Sequence, residues 1–296
     1  MNIVAQIGYS QMETWAARVY GNAKAAHMED ISLLPKQGWI PVGTVEFCRA
    51  AMIHQGIREP EPLDYPEVLT KWLPYGGHVL CRYDEMPDGW TTDHHQGIHG
   101  KPVITKLSEC LWAPDTPFWA SPYHRFGPEY RFYVLHGEIL GYGRYDDIDD
   151  DSTDPLPLDM KAVMDMVTAY QNDGAPVGYG LDVGVSDEDG MTKLVEINDG
   201  WALGLYKGTC SQQDYLRLLE ARWSEIGSVA ESGKSKDQKW SVCSNPTASA
   251  NVKSALVMFL GRFVSSEETD YTLNRRTHVH TTRLNQRPTG ILLHVC

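Results

Sequence analysis

Three oxygen-bearing side chains, Asp182, Glu196 and Asn198, lie in a stretch that reads as a β-hairpin. Val177 to Val185 is one strand, Asp187 to Gly190 carries the turn residues, and Met191 to Asn198 is the return strand. Glu196 and Asn198 are two apart and so share a face, and folding about the turn sets Asp182 opposite Glu196. Two carboxylates and an amide carbonyl on one face are hard ligands of the kind Mg²⁺ takes beside phosphate and water oxygens. The same residues also fit an edge hairpin with solvated acids. Against that, Asp182 stands among Gly180, Leu181 and Val183, and Glu196 between Val195 and Ile197. Charges among apolar neighbours are rarely buried without a partner.

Four cations could meet an anion. Lys101 and Lys106 bracket Pro102 to Ile104, which reads as strand; on sequence alone such lysines read as surface charges. EYRFYVLHGEILGYGRYDD (129–147) reads as a second hairpin, with RFYVL and EILGYGRY joined at His136-Gly137. Arg131 and Tyr133 share a face, and Arg144 lies on the return strand. An arginine amid Phe, Tyr and Val either pairs with an acid or grips an anion. Glu129, on the same face, is the partner offered by the local sequence.

LDVGV followed by LVEINDGWALGLY resembles the closing motif of ATP-grasp ligases, nearest to the clade named for two arginines and one lysine. The resemblance implies that Asp182, Glu196 and Asn198 hold Mg²⁺ on ATP. PVGTVEFCRAA, GI and PEPLDYPEVL (41–69) resemble the leader of that clade, whose lead-in domains help form the acceptor side of the cleft. Lys101-Pro102, Lys106 and Pro117-Phe118-Trp119 fall on clade marks where the lysines contact ATP phosphates. Glu129-Tyr130-Arg131 matches a Glu-aromatic-Arg whose arginine serves the γ-phosphate or the substrate carboxylate, and Arg144 matches the second signature arginine. One departure is Ser108-Glu109-Cys110, where relatives carry an aromatic-Thr-Gly turn; a Glu there is unwelcome beside phosphate.

The resemblance covers about residues 40–222 and implies an α+β ATP-grasp fold with a small N-terminal α/β lead-in domain. The expected boundaries are 1–77 for the lead-in and 78–230 for the ATP-grasp domain, with 231–296 a basic polar tail, partly disordered, read from its charge and composition. With ATP and Mg²⁺ as cofactors, the implied activity joins a carboxylate to an amine (or thiol) through an acylphosphate, releasing ADP and phosphate. Small-molecule or peptide carboxylates and amines would be the substrates. Alternatives are an ATP-grasp phosphotransferase and a non-catalytic ATP-binding or regulatory protein, the latter favoured by the altered loop. No GxxxxGK[ST] or GxGxxG stretch occurs, which disfavours the two common nucleotide folds.

The elements that must position these groups are partly legible. Ile3 to Ile7 reads as a first strand and Met12 to Tyr20 as helical. Thr44 caps a helix through Val45, Cys48, Ala51 and Met52 that Gly56 ends, and a short helix follows near Tyr65 to Leu73. Leu158 to Tyr170 is amphipathic, with Met160, Val163, Met164, Val167 and Tyr170 as its core stripe. Gln212 to Ile226 is a further helix through Tyr215, Leu218, Leu219 and Trp223. DHHQGIHG (93–100) could hold a metal through His95 and His99 if helical, but its glycines favour a solvated loop, as does the charge of DDIDDDSTD (146–154).

The 296 residues suffice for one or two domains. Net charge is −13, divided as −18 over residues 1–232 and +5 over 233–296. That balance argues against general nucleic-acid binding outside the basic tail, and the tail's polar, turn-rich text reads first as a disordered extension. No apolar run spans a membrane, no basic leader precedes an apolar core, and six cysteines form no CxxC pair. Reduced thiols and a cytoplasmic setting are the expectation.

Overall fold

A computed structural model describes residues 1–74, 79–82, 98–102, 117–122, 124–145 and 156–232. They belong to one compact unit, Met1–Asp237; the chain's second unit is Gln238–Cys296. Lys106, Ser108 to Cys110, His94, His95, the acid run 146–154 and residues 233–296 lie outside the described residues.

The chain opens with β1 (Asn2–Gln6), α1 (Met12–Tyr20), β2 (Lys24–Ala26), β3 (Trp39–Val42) and α2 (Val45–Gln55). The strands form a parallel sheet of order β2-β1-β3. Helix α2 starts and stops where its sequence directs: Thr44 Oγ1 accepts from the Phe47 amide, and Gly56 closes the helix in the left-handed conformation. The short helix expected near Tyr65 to Leu73 is a 3-10 helix, Glu67–Trp72. Three short strands, β4 (Val79–Arg82), β5 (Ile98–Pro102) and β6 (Pro117–Pro122), then make an antiparallel sheet of order β4-β6-β5. Gly100, expected in a loop, sits inside β5 opposite Ala120.

The largest sheet is antiparallel, of order β10-β9-β7-β8. It comprises the two expected hairpins, β7 (Phe126–Leu135) with β8 (Glu138–Arg144), and β9 (Gly178–Ser186) with β10 (Thr192–Asp199). Between β7 and β8 the chain turns through His136 and Gly137, both at positive φ (51° and 78°), the conformation a two-residue hairpin requires. One face carries Tyr130, Phe132, Leu181, Val183, Leu194 and Ile197 against α3 (Met160–Asn172) and Leu69. The α3 stripe differs by one methionine from the expected one. Met166 is buried, whereas Met164 is 60% exposed, because the buried arc runs through Val163, Met166, Val167 and Tyr170.

The other face is shared. Tyr133 packs with Leu218, Leu219 and Trp223 of α4 (Gln212–Ser232), and the same cluster takes in Ala5, Ala16, Ile40, Cys48 and Met52 from the N-terminal sheet and its helices. The lead-in residues and the end of the large sheet therefore share one core. Loop 200–211 runs between β10 and α4, and Arg222 ties its start to the helix. Arg222 donates from Nε and Nη2 to both oxygens of Asp199 (2.8 and 2.6 Å) and from Nη1 to Glu225 (2.6 Å). Arg222→Ala should leave the largely buried Asp199 carboxylate without its cation and cost up to about 3 kcal/mol of stability. Urea unfolding should show that loss; one within error of zero would make the clamp dispensable.

Candidate active site

Register places four residues in one row across the large sheet. Glu196 of β10 faces Asp182 of β9, Asp182 faces Arg131 of β7, and Arg131 faces Gly143 of β8. Cross-strand partners share a face, so the three charged side chains lie side by side on the face away from α3. The expected pairing of Asp182 with Glu196 is what the strands form, a bulge between Leu194 and Glu196 included.

The centre of the row is an ion pair. Arg131 Nε donates to Asp182 Oδ1 (2.8 Å) and Nη2 to Oδ2 (2.6 Å), with Arg131 only 7% exposed and Asp182 fully buried. Burial alone would depress the guanidinium pKa; the adjoining carboxylate overrides it and holds the group above its ordinary value, so it stays charged. The local sequence offers Glu129 as partner. Glu129 instead accepts from Tyr145 Oη (2.7 Å), because the row brings Asp182 directly opposite Arg131.

Asn198, two residues from Glu196, closes the acidic end. Its Nδ2 donates to Asp182 Oδ2 (2.8 Å) and to Glu196 Oε1 (2.6 Å). An amide nitrogen reaching two carboxylates marks the place a small cation would take, since both offer lone pairs to the same point. The residues fit a hard divalent ion: with the amide turned over, Oδ1 would join the two acids as a third oxygen. Among the described residues no three His, Cys, Asp or Glu side chains come together, so Asn198 is needed to complete the set.

Two tyrosines enclose the arginine. The Tyr145 and Tyr206 rings lie 5.7 and 5.3 Å from the Arg131 guanidinium carbon, and 5.5 Å from each other. Burial, with Asp182 and Glu129 adding to it, pushes the Tyr145 phenol far up; burial with Asp182, Glu13 and Glu196 raises Tyr206. Both stay protonated at neutral pH. From α1, buried Glu13 accepts from Tyr9 Oη (2.6 Å) and from the Leu205 amide (3.4 Å), which ties the N-terminal sheet to the loop carrying Tyr206. The sequence does not single out Tyr145, Tyr206 or Glu13, since their meeting depends on pairing across distant segments.

The remaining expected cations stand elsewhere. Arg144 faces Tyr130, one residue out of the Arg131–Gly143 row, so the register sets the two arginines on opposite faces. Arg144 is on the return strand as expected, and one step of a period-two pattern puts its face opposite to that of Arg131. Lys101 is on β5 opposite Trp119, and Lys106 lies outside the described residues. Trp119 in turn donates from Nε1 to Asp64 Oδ2 (2.9 Å), and the Asp64 carbonyl accepts from Ile197 N (3.4 Å). The PEPLDYPEVL segment thus links the small antiparallel sheet to the strand bearing Glu196.

This fold and row meet a family model for an ATP-grasp domain, the third family of the clade named for two arginines and one lysine, over residues 17–226. The chain belongs to that family. The chain is also similar to solved structures. D-alanine–D-alanine ligase from Bacillus anthracis in complex with ATP shares 16% identity over 78% of this chain and 99% of its own, with a TM-score of 0.43. The ATP-grasp ligase PsnB complexed with a minimal precursor shares 12% over 78% and 97%, with a TM-score of 0.35. No curated protein matches. Family membership makes the architecture α+β ATP-grasp, and no helix among the described residues is long and apolar enough to cross a membrane.

The Asn198 amide yields a test of the cation site. Asn198→Asp replaces the donor between two acids by a third acid, which should lower stability by about 1–3 kcal/mol for the unmet acceptors alone. Melting in EDTA should fall and recover in millimolar Mg²⁺, with the parent protein little changed by either. A variant indifferent to Mg²⁺ would take the cation out of this row.

Proposed function

We propose that this ATP-grasp protein is an ATP-dependent carboxylate–amine ligase working through an acylphosphate, with ADP and phosphate as products. The observation that carries the reading is the buried Arg131, fixed by Asp182 on one edge and set in a row with Glu196 and Asn198. Family membership supports ATP-dependent ligation as the general activity. The finer assignment rests on the residues.

Phosphorylating a carboxylate brings two anions together, so the site must hold the acceptor against their repulsion. Arg131 suits this: its planar fork holds two oxygens at once, and Asp182 leaves part of the fork unspent. Glu196, Asn198 and Asp182 are the residues that would hold Mg²⁺, which supplies positive charge to the phosphate oxygens when bound. Lys101, by its match to the clade lysine, is assigned to the ATP phosphates. Arg144 is proposed as the second signature arginine by its motif match alone, for its face is not that of Arg131. Buried Cys210 has its thiol pushed up to about 12 by burial, so it is no nucleophile at neutral pH, in keeping with a reaction that needs no covalent enzyme intermediate. Small-molecule or peptide carboxylates and amines are the proposed substrates, and the cytoplasm the proposed setting.

Nucleotide analysis with a panel of carboxylates and hydroxylamine tests the chemistry. ADP and a hydroxamate are the expected products; AMP as the nucleotide product sinks the mechanism. ADP formed with no dependence on any amine points to a phosphotransferase. Glu196→Gln should abolish Mg²⁺-dependent ADP release with the fold intact. Lys101→Met should weaken ATP by about a hundredfold, from about 2–4 kcal/mol lost at a phosphate-facing charge. A loss under about threefold on that scale would return Lys101 to the surface.

A further inference from the structure

Arg131 spends Nε and one Nη2 hydrogen on Asp182; its Nη1 hydrogens and the second Nη2 hydrogen have no acceptor among the described residues. A side chain this deeply buried, with donors left over, is built to receive an anion. Its use depends on the plane of the guanidinium. Asp182 fixes one edge, yet a two-point pair still lets the plane tilt. Two rings limit that tilt, and the way Tyr206 arrives is specific.

Tyr206 belongs to no strand or helix and is held by its backbone: its amide donates to Tyr133 Oη (2.9 Å), which itself donates to the Gly204 carbonyl (3.0 Å). It lies against Gly143, the residue facing Arg131 in the row. A Cβ on Gly143 would stand 2.8 Å from Tyr206 Cβ and 2.9 Å from its carbonyl oxygen, backbone-bound atoms that cannot swing aside. Only glycine at 143 lets Tyr206 come this close. The ring then lies 5.3 Å from the guanidinium carbon and 5.5 Å from Tyr145, at 34° to it. A half-buried aromatic beside a buried cation is a contact of real strength.

We infer that Tyr206, seated by Gly143, is a positioning residue for Arg131 whose ring holds the guanidinium plane so that its free N–H edge faces the terminal phosphate of the nucleotide. The inference deepens the ligase reading and rests on it. The phenol hydroxyl plays no part in this role; the ring does.

The test compares the binding of Mg-AMP-PNP and Mg-ADP by calorimetry, because their difference isolates the terminal phosphate. Parent protein should bind AMP-PNP more tightly than ADP. Tyr206→Leu should cut that preference by about tenfold and leave ADP affinity and melting temperature near the parent values. Tyr206→Phe should retain the preference, since it keeps the ring. Gly143→Ala should lose the preference too, with a lowered melting temperature because its Cβ must displace the Tyr206 backbone. Equal loss of both nucleotides in Tyr206→Leu would show a merely structural role and overturn the inference, as would loss of the preference in Tyr206→Phe. Parent protein binding neither nucleotide would instead refute the ligase reading itself.

Discussion

A buried arginine–aspartate pair is a poor way to stabilise a sheet. Removing two ions from water costs more than their attraction commonly returns, and apolar residues of like volume often do better. Arg131 and Asp182 are nonetheless paired at both oxygens in the middle strands of the large sheet, where such a cost is greatest. What surrounds them is arranged to make that burial tolerable. Asn198 donates to the Asp182 oxygen, two rings flank the guanidinium, and Gly180 leaves room, since a Cβ there would stand 3.2 Å from Arg131 Cδ and Nε. A carboxylate kept beside a cation in this way serves direction more than stability: it aims what remains of the guanidinium.

The two faces of the large sheet follow from a period of two. Tyr130, Phe132 and Val134 alternate with Arg131 and Tyr133, and Leu181 and Val183 alternate with Asp182. Packing against α3 occupies one set fully, so charges can gather only on the other. That same rule moves Arg144 away, because one residue along a strand is the full width of the sheet. An arginine's place in a motif and its place on a face are separate facts, and the second decides which groups it can reach.

Much of this is legible in the sequence. Turn residues and alternation mark both hairpins, and counting back from the turn pairs Asp182 with Glu196. The caps of α2 are local signals, Thr44 and Gly56, and both act as caps in the fold. Hidden features are those requiring a third strand or a distant loop. Glu129 looks like the arginine's partner because it is two residues away, whereas Asp182, 51 residues on, is the one that reaches it. Gly143 reads as an ordinary strand glycine; its reason is the backbone of Tyr206, which no local pattern announces. Met164 and Met166 exchange places because a helical stripe of about 100° width admits either when its orientation is unknown.

Loop 200–211 shows how irregular chain can be held in one conformation. Buried backbone needs hydrogen-bond partners, and a loop lacks the ladder that would supply them. Here three aromatic side chains do so: Trp223 Nε1 donates to the Trp201 carbonyl (3.0 Å), Tyr215 Oη to Leu203 (2.6 Å) and Tyr133 Oη to Gly204 (3.0 Å). Burial raises the pKa of both phenols, so each remains a donor across the physiological range. Tyr133 neighbours Arg131 by two residues on the same strand face, and Tyr215 and Trp223 lie on α4 within the core shared with the N-terminal sheet. Glu13 adds a tie from that sheet's own helix to Leu205. The loop that brings Tyr206 to Arg131 is therefore fixed from the strand bearing the arginine and from the lead-in core at once. The N-terminal segments thus reach the charged row at both ends, through Glu13 to the loop carrying Tyr206 and through the Asp64 carbonyl to Ile197 on the strand of Glu196 and Asn198.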